Sequence, residues 1–337
     1  CIRDSPDIER RLRERATQAQ MSSDRHPDRT TTMSSTPDGT ETGDTGAAED
    51  PAGSGQHDTV GVADTESNGA DTTADAGAPE DGLDDTALDE PLPEVTTDFL
   101  AKGEHHVGVA SRAVADPVRG RSWKIEIWYP SHDSGGGTIE DFAEGSGDLA
   151  ILQTLLETAP EPCTTRVTHA ARESEIEPAP TTGWPLVAFS HCLGCTRFTS
   201  YEIAEHLASW GFVVVAPDHT DDTLFDAQRG VPSQLNAAFL ETRVADMRRT
   251  LDVALAEGSG WVDGLSVDEG RVLAMGHSFG SVTAGFTAEL DDRVRGAIAL
   301  AAPIESPLLA GPTMAALTKP VLFWLATEDN SITTLGN

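Results

Sequence analysis

The stretch Gly276-His277-Ser278-Phe279-Gly280 is the part of this 337-residue chain whose residue types and spacing most directly suggest chemistry. Glycines two positions before and after a serine permit a very tight turn, because small residues are needed where the chain nearly folds back on itself. An apolar strand pattern, Arg271-Val-Leu-Ala-Met275, precedes the turn, and a helical pattern from Ser281 to Leu290 follows it. A serine lifted on such a strand-to-helix turn can be reached at once by a base and by an acyl carbonyl. The start of the helix places backbone N–H groups beside the oxyanion that would form. The expected chemistry is nucleophilic attack by Ser278; the competing reading is a glycine-rich turn whose serine only caps the helix.

Other groups could complete such a site. Thr327-Glu328-Asp329-Asn330 follows the apolar run Pro320-Val-Leu-Phe-Trp-Leu325. A carboxylate at the carboxyl end of a late strand can orient a histidine and stabilise its imidazolium. Asp329 is the candidate, Glu328 the alternative, and a solvated acidic loop the competing reading. A serine without a base is a weak nucleophile. No histidine follows His277, so the base is expected beyond Asn337. His219, in Ala216-Pro-Asp-His-Thr-Asp-Asp222, follows a strand and is the substitute to weigh against it.

Four cysteines are present: Cys1, Cys163, Cys192 and Cys195. None has zinc-ligand spacing with histidines, and no metal or cofactor is expected. Cys192-Leu-Gly-Cys195 has the spacing of a redox pair without thioredoxin-like surroundings, so free core residues are expected. A disulfide from Cys163 to Cys192 or Cys195 is the alternative if the protein is exported.

The elements that must position these groups alternate along residues 98–337. His106-Val-Gly-Val-Ala110 and Ser122-Trp-Lys-Ile-Glu-Ile-Trp-Tyr129 read as strands, with Pro130 ending the second. Residues 131–184 form a long polar connection with one helical stretch, Leu149 to Leu156. A connection of that length usually caps a site or is mobile. Strands then follow at Pro185 to Ser190, Phe212 to Ala216, Arg271 to Met275, Ala297 to Ala301 and Pro320 to Leu325. Helical spacing appears at Phe198 to Trp210, stopped by Gly211, at Leu235 to Ala256 and at Ser281 to Leu290. Continuous apolar strands such as Phe212-Val-Val-Val-Ala216 suit a sheet covered on both faces. The alternation predicts an α/β domain, a mostly parallel sheet with helices on both faces.

Residues 1–97 are different in kind. They contain no lysine, seven arginines and twenty-three acidic residues, amid Gly, Ser, Thr, Ala and Pro. Such a segment cannot bury enough apolar surface to offset its ordering entropy, and it reads as a disordered acidic tail or tether. The formal charge of −33 divides almost evenly between this tail and the domain. It opposes nucleic-acid binding, which needs clustered Lys and Arg, and it would repel an anionic membrane. No run of eighteen apolar residues exists, so no transmembrane helix is expected. The first residue, Cys1, suits a lipid-bearing anchor followed by a polar tether. It equally suits a gene fragment, or upstream sequence ahead of Met21 or Met33. An extracytoplasmic location, secreted or lipid-anchored, is favoured over a cytoplasmic one.

Taken together, Ile125-Glu-Ile-Trp-Tyr-Pro130, Pro185-Leu-Val-Ala-Phe-Ser-His191, Trp210-Gly-Phe-Val-Val-Val-Ala-Pro-Asp-His219 and Gly276-His-Ser-Phe-Gly280 resemble a branch of the α/β-hydrolase superfamily. It is the branch of dienelactone-hydrolase-like and platelet-activating-factor-acetylhydrolase-like proteins. The resemblance spans about residues 104–335. It implies an α/β-hydrolase fold and hydrolysis of a small-molecule carboxylic ester, plausibly one with a short acyl chain, without a cofactor. In this fold the loop after the strand ending at Ser190 supplies one oxyanion donor and the residue after the nucleophile supplies the other. The resemblance thus assigns the backbone N–H groups of Leu193 and Phe279, and makes His191 a buttress of the loop. Chain order in the family, Ser then Asp or Glu then His, agrees with a histidine beyond Asn337. Where the family has His-Gly, this chain has His191-Cys192. The acetylhydrolase carries its acid at the position of Ala301, which leaves the role to Asp329. Dienelactone hydrolase itself uses a cysteine nucleophile, which Ser278 replaces here. The rival readings are a non-catalytic binding protein of the same fold, or an amidase or peptidase using the same triad.

Overall fold

The structure, a computed structural model, describes residues 98–157, 166–256, 261–305, 309 and 317–326. The expectations for residues 1–97, Cys163, Glu328 and Asp329 fall outside the described residues.

An antiparallel pair opens the domain. Strands β1 (His106–Asp116) and β2 (Arg121–Ser131) pair along their whole length. β1 is longer than its apolar start suggests, because alternation with β2 carries it on to Asp116. Pro130 does not end β2. Pairing of β2 with its other neighbour covers only Ile125 to Trp128, so the missing N–H of Pro130 falls beyond that ladder.

The long connection is structured. It carries β3 (Gly137–Thr138), a 3-10 turn at Ile139–Phe142, α1 (Gly145–Glu157), β4 (Val167–Thr168) and β5 (Ala171–Arg172). Phe142, Leu152 and Leu156 are buried in one core cluster with Trp128, Phe189 and Phe198, so this segment covers a face of the sheet.

The alternating part follows: β6 (Trp184–Ser190), α2 (Tyr201–Ser209), β7 (Val213–Pro217), α3 (Leu224–Gln228) and α4 (Ala237–Ala254). Then come β8 (Val267–His277), α5 (Phe279–Leu290), β9 (Val294–Leu300) and β10 (Val321–Trp324). The short helix α3 was not anticipated. Its start is a capping box in which Thr223 and Asp226 satisfy each other's backbone N–H groups.

The eight-stranded sheet has the order β10-β9-β8-β6-β7-β2-β1-β5. The neighbours from β10 to β7 pair in parallel, and β2 joins antiparallel to β7. Successive residues serve opposite faces, as a pleated strand requires. Leu186 and Ala188 pack with Met247, Leu251, Ala284 and Ala288 on one side. Val187 and Phe189 pack with Ala204, Ala208 and Leu152 on the other.

The topology also fixes where a site can lie. The chain leaves β6 towards β7 and leaves the adjacent β8 in the opposite direction, towards β9. The crevice at the carboxyl ends of β6 and β8 is the switch point at which open α/β sheets bind ligands. Ser190 ends β6 and His277 ends β8. No described helix is long and apolar enough to cross a membrane.

Beside this crevice the sheet carries a buried ionic knot. Arg197 donates to Glu126 of β2 at 3.0 Å, to Asp218 at 2.8 Å and to the Phe142 carbonyl at 2.9 Å. It thereby joins β2, the end of β7 and the connection that covers the sheet. Removing one partner of a buried pair leaves the others uncompensated, typically at about 3–5 kcal/mol. Arg197→Met is therefore expected to lower the unfolding free energy by about that amount, read from urea denaturation midpoints. A loss below about 1 kcal/mol, the scale of a surface pair, would contradict this role.

Candidate active site

Ser278 occupies the single position between β8 and α5. Its backbone is left-handed, with φ 56° and ψ −121°, a conformation that costs a residue with a Cβ about 1–3 kcal/mol. The surroundings enforce it. The Ser278 N–H donates to the carbonyl of Leu300, the last residue of β9, at 2.9 Å. The Ser281 hydroxyl shares its proton between the Gly276 and Leu300 carbonyls, 2.9 Å from each. A methyl group on Gly276 would overlap the carbonyl of Gly280, and one on Gly280 would overlap those of Ser190 and His191. The two glycines thus let the turn close on itself and let it press against the end of β6. Ser278 remains half-exposed.

That contact brings the two loops expected to flank the serine together. Leu193 packs against the apolar cluster that contains Phe279, Phe239, Val244 and Val282. The turn around Leu193 is held on three sides. The Gly194 N–H donates to Asp222 at 2.9 Å, the Cys195 N–H donates to the Cys192 carbonyl at 3.3 Å, and Cys192 and Cys195 form a disulfide. The expectation of free cysteines is corrected: both sulfurs are buried but face each other across the turn, with Cα atoms 5.3 Å apart. Gly194 takes the positive φ of 61° that this four-residue ring needs.

The histidines after β6 and β7, His191 and His219, are both held within the fold. His191 is buried; its Nδ1 donates to the Cys192 carbonyl at 2.7 Å and its Nε2 accepts the His219 N–H at 3.0 Å. His219 is fully buried, with Nε2 3.0 Å from the Ser190 hydroxyl and Nδ1 3.5 Å from Asp246. Ser190, His219 and Asp246 thus line up like a triad, but all three are sealed from solvent. His219 does not approach substrate from that position.

Burial first, then the cations Arg243, Arg121 and Arg119, hold the pKa of His219 well below the usual 6.5. Sequence reading did not single out Arg243. It lies in the inward stripe Phe239, Leu240, Val244, Met247 of α4, and a cation at such a position was the available signal.

Residues 99–228 match the family described as platelet-activating factor acetylhydrolase, isoform II, and residues 176–335 match the dienelactone hydrolase family. The chain is similar to both families, and its mostly parallel sheet with helices is that of an α/β-hydrolase fold. Over 219 residues it is 28% identical to platelet-activating factor acetylhydrolase from Cavia porcellus, covering 55% of this chain. It spans about half, 48%, of that relative's length. A solved ferulic acid esterase from Streptomyces cinnamoneus superposes with a TM-score of 0.48 at 26% identity, over 64% of each chain. In this chain the match to the dienelactone hydrolase family includes the turn at Ser278 and the cystine that closes the loop after β6.

Two outcomes follow. Closing so small a ring contributes about 2 kcal/mol through the unfolded chain. The double substitution Cys192→Ala with Cys195→Ala is expected to lower stability by about that much, and an unchanged urea midpoint would contradict it. For His219, the unfolded chain takes up a proton as pH falls through 6.5, and the folded protein does not. Stability is therefore full above that pH and falls below it, by about 1.4 kcal/mol per pH unit for one proton. In His219→Gln this part of the acid loss should vanish when unfolding is followed as a function of pH.

Proposed function

We propose that this α/β-hydrolase cleaves carboxylic esters of small molecules by two-step acyl transfer, with Ser278 as nucleophile. The observation that carries this reading is the enforced left-handed turn, which leaves Ser278 half-exposed beside the loop of Leu193. Strain retained by the surrounding structure is commonly found where a reactive group must be presented.

In the proposed scheme the Ser278 hydroxyl attacks the ester carbonyl. The backbone N–H groups of Leu193 and Phe279 receive the developing oxyanion. The ester bond breaks and the alcohol departs with the proton the base took from Ser278; water then hydrolyses the acyl-enzyme to release the acid and restore the Ser278 hydroxyl. His191 and His219 are committed within the fold; the base is proposed to be the histidine that the Ser, Asp, His chain order of this fold implies, oriented by Asp329. The name of the Cavia porcellus relative, an acetylhydrolase, supports a short acyl chain.

The test is hydrolysis of p-nitrophenyl acetate by the full-length protein and by its Ser278→Ala variant. Loss of the nucleophile is expected to lower kcat by at least about a thousandfold, and p-nitrophenyl acetate should be preferred to the decanoate. Equal rates for the two proteins would refute the assignment of Ser278.

A further inference from the structure

Arg243 uses all three of its guanidinium nitrogens near the crevice, and its partners share one feature. The side chain is fully buried. Its Nε donates to the Thr283 hydroxyl of α5 at 3.1 Å. One terminal nitrogen pairs with Asp222, and the other donates to the His191 carbonyl and, at 3.0 Å, to the Ser190 hydroxyl. The guanidinium also lies over the Phe279 ring, 4.6 Å from its centroid. Asp222, in turn, accepts the Gly194 N–H at 2.9 Å. Every one of these contacts lands on one of the two segments assigned as oxyanion donors, or on the residue that clamps them.

Stability does not explain the arrangement. A buried ion pair is typically neutral or worse than apolar residues of the same volume. The planar fork of arginine does something an apolar side chain cannot: it fixes several acceptors in one plane at set angles.

We propose that Arg243, acting with Asp222, is a positioning residue that sets the Leu193 turn against the first turn of α5. The proposal rests on the reading of Ser278 as nucleophile. On this view the guanidinium fixes the Ser190–His191 end of the loop, Asp222 fixes Gly194, and the stacked cation fixes Phe279. The N–H groups of Leu193 and Phe279 are thereby held at one spacing. An oxyanion pocket depends on that spacing in the transition state far more than in the ground state.

The experiment uses the full-length protein in four forms: wild type, Arg243→Lys, Asp222→Asn and Asp222→Leu. Lysine keeps the charge but loses the fork; asparagine keeps an acceptor for Gly194, which leucine does not. Two readouts are needed, kinetics with p-nitrophenyl acetate and amide hydrogen exchange of residues 191–195, both well below each variant's Tm. Arg243→Lys and Asp222→Leu are expected to lower kcat by about a hundredfold with KM within about twofold. Both should also speed exchange at Gly194 while leaving the strands β6 and β8 protected. Asp222→Asn should recover most of the loss seen with leucine.

Loss of activity that tracks Tm, or an asparagine variant no better than leucine, would reduce Arg243 and Asp222 to a structural pair and overturn the proposal. If the wild type shows no hydrolysis dependent on Ser278, the hydrolase reading fails. The exchange arm then decides the tether by itself: unchanged protection at Gly194 in Asp222→Leu refutes it, and selective loss there upholds it.

Discussion

The close approach of three backbone segments at the ends of β6, β8 and β9 is the constraint on which this site depends. Gly276 and Gly280 meet within the turn, and Gly280 meets the carbonyls of Ser190 and His191. The Leu300 carbonyl receives both the Ser278 N–H and the Ser281 hydroxyl. No side chain larger than hydrogen fits at either glycine, so the serine between them is forced into the left-handed region. The strain is retained because parallel pairing of β8 with both β6 and β9 leaves the turn no room to relax. The turn thereby brings Ser278, the strand ends and the helix start together at the switch point.

Around that contact the protein buries charge rather than avoiding it. Arg197 gathers Glu126 and Asp218, Arg243 gathers Asp222, and Asp246 receives Arg119 and Arg121. Each of these groups loses hydration, and their mutual attraction offsets much of that loss without a clear net gain. Their value is directional. A guanidinium with its acceptors in place admits one arrangement of the loops it joins, whereas an apolar core of equal volume tolerates many. The loop after β6 is anchored by buried Phe198 and by Leu193 as well as by ionic and covalent tethers, and the tethers define its angles to the loop after β7. The cystine between Cys192 and Cys195 belongs to the same strategy, replacing the flexibility of a glycine-rich turn with a closed ring.

Legibility from sequence followed the range of the interaction. The turn at Ser278 and the strand ending at Ser190 are each written in a few adjacent residues and lie where the pattern placed them; the strand read as Arg271 to Met275 runs from Val267 to His277, and the helix read from Ser281 begins at Phe279. β1 ran longer than read because its continuation depends on β2, not on its own apolar residues. α3 was overlooked although Thr223 and Asp226 carry a capping signature, because the helix is only five residues long. The cysteines were misjudged because spacing alone does not say whether a turn points two sulfurs at each other. Arg243 meets Asp222 across 21 residues and Ser190 across 53, and no local pattern records such pairings. Asp329 and the acidic segment 1–97 lie outside the described residues and keep the standing the sequence gives them.

The most direct measurement is a crystal structure of the full-length protein after reaction with a p-nitrophenyl phosphonate, whose tetrahedral adduct mimics the acyl-transfer transition state. Phosphorus should be bonded to the Ser278 oxygen, with one phosphonyl oxygen within about 3 Å of the Leu193 and Phe279 nitrogens. An unmodified Ser278, or an adduct whose oxygens face away from both amides, would contradict the site described.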